Sequence, residues 1–218
     1  MFGWDKKNYN GLNIAIPIHP SSRVADIFYE RLEQAQKPKN TIITKEAQFG
    51  IDHARNILAE KFLMTDCKFI LFLDSDILLN QDTIMKLINA YEETGYRCIT
   101  AVYHEKRGMI EPAIWHHSGV PTKRGPSYKV TELPSEIELC GMGCCLIHRD
   151  IFEQTEYPWF RYTLNTLELP DDERISEDFY FCYKKVYKEF GERPYAIPEI
   201  VGHLGRVIVK SPQEMILI

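Results

Sequence analysis

Apolar residues fall into short continuous runs alternating with segments at helical spacing, the arrangement that builds a largely parallel sheet with helices on its faces. Leu12 to Ile18 (LNIAIPI) is an apolar run ended by His19-Pro20-Ser21-Ser22, a turn cluster that also offers an N-cap. Val24, Ile27, Phe28, Arg31 and Leu32 follow near helical spacing, and Lys37-Pro38-Lys39-Asn40 breaks the chain before the β-branched run Thr41 to Thr44. Together these predict a βαβ unit. A second helix is predicted from Ile51 to Met64, with Ala54, Ile57, Leu58 and Phe62 inward, and it delivers the chain into a strand from Lys68 to Leu73. Cys98 to Val102 reads as another strand. Ser176 can cap a later helix whose positions Phe179, Cys182, Val186 and Phe190 follow its period, with Gly191 closing it.

Size makes one compact α/β domain over residues 1–218 the expectation. Hydrophobic residues make up 44% of the 218 and charged residues 26%, enough apolar material for a closed core. The net charge of −5 argues against nucleic acid as a partner, because phosphate backbones are bound mainly through Lys and Arg. No stretch approaches the roughly 20 consecutive apolar residues of a membrane span, and Met1 to Asn10 lacks a signal-peptide core, so a cytoplasmic protein is expected. Six cysteines (Cys67, Cys98, Cys140, Cys144, Cys145, Cys182) lie in apolar segments without disulfide or zinc-knuckle spacing and read as buried small hydrophobes.

Chemistry enters at the end of the Lys68–Leu73 run, which has the length of a strand buried on both faces and stops at Asp74-Ser75-Asp76. Residues two apart in an extended segment project to one side, so both carboxylates are expected to converge at the carboxyl end of a central strand, where open α/β sheets bind ligands. Hard oxygen ligands suit Mn²⁺ or Mg²⁺ bridging to a diphosphate. Taken alone, the same residues equally describe a solvated turn.

Several segments, in order, resemble the GT-A glycosyltransferases, especially family 2-like members and the small transferases of phages and archaea. Gly50-Ile51-Asp52-His53-Ala54-Arg55-Asn56 is similar to the family's Ala-Arg-Asn element upstream of the Asp-x-Asp. Gly141-Met142-Gly143, followed by Cys144 to Phe152, looks like a Gly-rich turn feeding a strand and an Arg-x-x-Phe. Tyr157-Pro158-Trp159-Phe160 resembles the aromatic cluster past that strand, Ser176-Glu177-Asp178 the Glu-Asp motif, and Gly202-His203 the closing histidine motif. The resemblance implies a Rossmann-like mixed sheet, with a nucleotide-sugar donor half at about 1–103 and an acceptor half at about 104–218. It implies donor contacts from Pro17, Arg55, Asn56, Asp74, Ser75 and Asp76, acceptor contacts from Gly141, Gly143 and Trp159, and metal ligation by Asp74, Asp76 and His203.

The implied reaction moves a sugar from a UDP- or GDP-type donor to a hydroxyl of a glycan, lipid-linked or protein acceptor. Asp178 would take the acceptor proton, supported by Glu177, with inversion at the sugar carbon. A helix N-terminus lowers the basicity of Asp178, while Glu177 and the diphosphate raise it. Two other classes compete: a haloacid-dehalogenase-type phosphatase using Asp74 and Asp76, which would place this motif nearer the chain start, and a non-catalytic nucleotide-sugar-binding subunit. Tyr103 to Arg107 reads as a solvated loop or a source of positive charge at the donor. His116-His117 has no assignment, and Glu168 to Glu173 reads as a surface loop or a flap over the acceptor.

Overall fold

A computed structural model describes residues 10–105, 111–117, 124–162, 176–205, 207–211 and 214–217, so the Glu168–Glu173 loop and Lys106-Arg107 lie outside the described residues. The elements run β1 (Leu12–Ile18), α1 (Asp26–Gln34), β2 (Thr41–Ala47), α2 (Ile51–Leu63), β3 (Phe69–Leu73), β4 (Ile77–Leu78), α3 (Thr83–Thr94) and β5 (Cys98–Val102). They continue with β6 (Ile114–His117), β7 (Arg124–Ser127), β8 (Ser135–Glu136), β9 (Leu139–Cys140), β10 (Cys144–His148) and α4 (Arg149–Gln154). A short α5 (Glu177–Tyr180) passes into a π-helix (Phe181–Phe190), followed by β11 (Tyr195–Ile200), β12 (Gly202–His203), β13 (Val207–Ser211) and β14 (Glu214–Leu217).

The main sheet has the order β2-β1-β3-β10-β5-β11-β8. β1 pairs parallel with β2 and β3, and β5 parallel with β11, while β10 is inserted antiparallel between β3 and β5. The expected mixed α/β sheet is therefore present. Its geometry decides where chemistry gathers: the carboxyl ends of β1, β3 and β5 and the amino end of the reversed β10 share one edge. The central strand β3 is buried along its whole length, whereas β2 is an edge strand with Ile42 and Ile43 exposed.

Helix ends depart from the expectation in two places. Ser21 and Ser22 do not cap α1, which starts at Asp26 behind Ala25 with no side-chain cap. The Ser176 helix widens to π geometry after one turn, so Phe181 and Lys185 are buried while Phe179 and Phe190 are only partly covered. Gly191 does end it, at φ 89°, as Gly95 ends α3 at φ 77°. Arg149, buried at the start of α4, donates to the carbonyls of Phe62, Leu63, Thr65 and Cys67 and so satisfies the end of α2. All six cysteines are buried and unpaired, as expected.

Candidate active site

The strand end behaves differently from an extended Asp-x-Asp. β3 stops at Leu73, and the Ile77 amide donates to the Asp74 carbonyl at 3.0 Å, folding Asp74-Ser75-Asp76 into a tight turn. Alternation therefore breaks, and the two carboxylates take different partners. Asp74 accepts from Arg55 Nη2 at 2.9 Å, while Asp76 Oδ1 faces His203 Nε2 at 3.6 Å. His203 gets there because β12 pairs with β4, setting His203 opposite Ile77, and because the Leu204 amide donates to the Asp76 carbonyl at 2.7 Å. β12 is also not the end of the sheet region, since β13 and β14 follow it.

Arg55, on α2 and 3% exposed, binds the site together. Its Nη1 donates to Glu177 at the start of α5, so one guanidinium joins the turn after β3 to a segment far along the chain. Burial alone would lower its pKa, but Asp74, Glu177 and Asp178 outweigh burial and raise it. Burial pushes the Glu177 carboxyl up to about 7, with the charges of Asp178 and Asp74 adding to it and Arg55 opposing. Burial likewise raises the pKa of Asp178 despite hydrogen bonds to its Oδ1 from the Ser176 hydroxyl and, at 2.8 Å, from the Phe179 amide. Ser176 thus spends its hydroxyl on Asp178 and makes no side-chain cap to the helix.

Tyr103 and His104 are the residues that the solvated-loop reading misses. Both are buried at the carboxyl end of β5. The Gly143 amide donates to the Tyr103 hydroxyl at 3.2 Å, and the Asp74 amide donates to the Gly143 carbonyl at 3.0 Å. A Cβ on Gly141 would lie 2.0 Å from the Tyr103 oxygen, and one on Gly143 2.9 Å from its ring. The glycines make room for a phenol, whose pKa is raised well above its ordinary value by burial and by the negative charges of Asp74 and Asp178. The His104 carbonyl meets His203 Nδ1 at 2.7 Å. A carbonyl only accepts, so Nδ1 carries a proton, and Nε2 is the ring nitrogen that faces Asp76. No residue type near position 103 signals this burial, which depends on the two glycines about forty residues further along the chain.

Two predicted contacts have other occupations. Asn56 Oδ1 accepts from the amides of Trp159 and Phe160 at 3.1 and 3.0 Å, and its Nδ2 donates to the Phe160 carbonyl at 2.7 Å. Trp159 is 6% exposed, donates Nε1 to the Phe152 carbonyl and packs edge-on against Phe152 and Tyr157, so its ring belongs to the core. Pro17 is buried in β1 beside Glu46 of β2, and Ser75 sits half-buried within the turn.

Two carboxylates and an imidazole whose Nε2 faces one of them make a donor set of the kind that suits Mn²⁺ or Mg²⁺. Among the described residues, no three His, Cys, Asp or Glu side chains are gathered closely enough to enclose an ion, and Asp74 is paired with Arg55. No helix among the described residues is long and apolar enough to cross a membrane.

Against solved structures, the chain is similar to A197 from STIV, with 21% identity, a TM-score of 0.65, and 95% of this chain and 93% of that one covered. It is also similar to residues 1–349 of S. aureus TarS, with 13% identity and a TM-score of 0.50, covering 86% of this chain and 58% of that one. These likenesses concern the fold. A search of curated proteins found no match. The family model "Glycosyl transferase family 2" matches residues 23–155, a span that holds Arg55, Asp74, Asp76, Tyr103 and Gly143 and displaces the phosphatase reading. With more than half of its length matched, this chain belongs to glycosyl transferase family 2.

Proposed function

We propose that this glycosyltransferase moves a sugar from a nucleoside-diphosphate sugar of UDP or GDP type to an acceptor hydroxyl, with inversion at the anomeric carbon. The observation that carries the reading is the Arg55 bridge between Asp74 and Glu177, which puts the donor-side turn and the Glu177-Asp178 pair into one site. Residues 1–103 form the donor half in this reading, and residues 104–218 the acceptor half.

Asp74, Asp76 and Nε2 of His203 would hold a divalent ion, Mn²⁺ or Mg²⁺, which when bound offsets negative charge on the leaving diphosphate. The work of the chain's own groups is separate. An acceptor hydroxyl is far too weak an acid to ionise unaided, and Asp178 takes its proton as the bond to the sugar forms. The raised pKa of Asp178 supports that role, because burial outweighs the helix start and the two hydrogen bonds that would weaken it as a base. Glu177, its carboxyl pushed up to about 7 by burial, shares its time between the two protonation states near neutrality and so lowers the average negative charge beside Asp178. Tyr103 retains its proton and seals the site floor between Asp74 and Asp178. The six unpaired thiols support a reducing compartment, and we place the protein in the cytoplasm.

The test is calorimetric titration of UDP and of GDP into the full chain, with and without Mn²⁺. Metal-dependent binding of one nucleotide, lost in Asp74→Ala and Asp76→Ala, is expected. Absence of binding by both nucleotides would overturn the donor site.

A further inference from the structure

A cavity lies along the same helix as Asp178, outside the machinery described above. It has a volume of about 260 Å³ and is lined by His117, Glu138, Tyr183, Tyr187 and Arg193. β6 and the helix run side by side here. Trp115 meets Phe179 edge-on with ring centres 5.2 Å apart, and two residues further along β6 His117 stacks on Tyr183 at 4.9 Å and 18°. The cavity is therefore the next step along a seam that begins beside Asp178. Tyr183 and Tyr187 lie five and nine residues past Asp178 on the same continuous helix.

We infer that this cavity binds a pyranose ring of the acceptor, so that the acceptor is recognised as a glycan at a sugar removed from the hydroxyl that reacts. The inference rests on the glycosyltransferase reading for its purpose but not for its chemistry. A pyranose presents an apolar C–H face and a rim of hydroxyls that each donate and accept. The lining supplies flat aromatic rings, with Tyr187 38% exposed, and beside them a carboxylate and a guanidinium as a fixed pair, Arg193 Nη1 donating to Glu138 at 2.7 Å. The Glu138 carboxyl is held below its ordinary pKa by the His117 amide and by Arg193, although burial opposes this, so it stays an acceptor. Arg193 already has a carboxylate partner, which disfavours a phosphate or other anion. Lys188, exposed, rests over both tyrosine rings at 5.4 and 4.9 Å and is the flexible group that an arriving sugar would displace.

The experiment is saturation-transfer NMR on the full chain with the α- and β-methyl glycosides of glucose, galactose, mannose and N-acetylglucosamine. At least one glycoside is expected to receive magnetisation from aromatic protons. Its affinity should fall about tenfold in Tyr187→Ala, the loss of one stacking partner, and stay within about twofold in Tyr187→Phe. Binding should also survive in Asp74→Ala, because the cavity is distinct from the donor site. Failure of every glycoside to bind, or binding that Tyr187→Ala leaves unchanged, overturns the sugar site. Glycoside binding lost in Tyr187→Ala in a protein that binds neither UDP nor GDP would sink the donor reading and leave the sugar site standing.

Discussion

The hydroxyl of Tyr103 occupies the space that a side chain at position 141 would need, with a Gly141 Cβ placed 2.0 Å from the phenol oxygen. Neither group is free to retreat, because Tyr103 is buried and accepts from the Gly143 amide. Gly141→Ala should therefore cost about 1–3 kcal/mol through overpacking. In a Tyr103→Ala background most of that cost should vanish, and urea denaturation of the four proteins in the cycle measures it. Equal costs in both backgrounds would mean that Tyr103 is not what the glycine accommodates.

Glu177 makes an unusual contribution to the pH dependence of stability. Its carboxyl titrates at about 7 in the folded chain against an ordinary value of 4.5. Between those values the folded state holds a proton that the unfolded state has lost, so stability falls as pH rises through this window. The contribution is complete below about 4.5 and lost above about 7, and amounts to at most about 3 kcal/mol. Because acids elsewhere titrate too, the informative quantity is the difference between the wild type and Glu177→Gln. That difference should shift across pH 4.5 to 7, and a pH-independent difference in unfolding free energy would contradict the shift.

The proton-accepting role of Asp178 predicts two separable effects. Asp178→Asn should lower kcat by roughly 10²–10⁴ while leaving nucleotide binding in place. Ser176→Ala acts on the same group more gently: its hydroxyl stabilises the Asp178 carboxylate, and removing it raises the Asp178 pKa further. The acid limb of kcat/KM should then move to higher pH. A limb that stays in place would show that another group controls the profile.

How far the site was legible from sequence depended on whether its geometry was local. The run Phe69–Leu73 announced a buried strand, and the Asp74-Ser75-Asp76 stop announced its carboxyl edge, because both signals sit within a few residues. The turn geometry of that motif was not legible, since it is fixed by backbone partners: Gly143 on one side and β12 on the other. Tyr103 was misplaced for the same reason. Its burial depends on the absence of side chains at Gly141 and Gly143, about forty residues later, and residue types near position 103 carry no trace of it. The widening of the Glu177 helix to π geometry also escaped, because Phe179, Cys182, Val186 and Phe190 satisfy an α-period equally well.

His203 is held by its Nδ1 contact to the His104 carbonyl, which leaves Nε2 for Asp76 or an ion. His203→Ala should weaken Mn²⁺-dependent nucleotide binding by about 10–100-fold and leave metal-free binding unchanged. Calorimetry in the presence and absence of Mn²⁺ separates the two. Equal weakening under both conditions would assign His203 to the shape of the site alone.

Asn56 tests the boundary between scaffold and donor contact. Its amide group makes three hydrogen bonds to the backbone of Trp159 and Phe160, and that segment carries the buried rings that close the core against α2. Truncation would leave the two buried amides and one carbonyl without this partner, at about 1–3 kcal/mol for each group that stays unsatisfied. Asn56→Ala is therefore expected to lower the denaturation midpoint strongly. If stability governs the effect, nucleotide affinity measured well below the unfolding transition stays close to wild type. A large loss of nucleotide affinity in a stably folded Asn56→Ala protein would instead make Asn56 a donor contact.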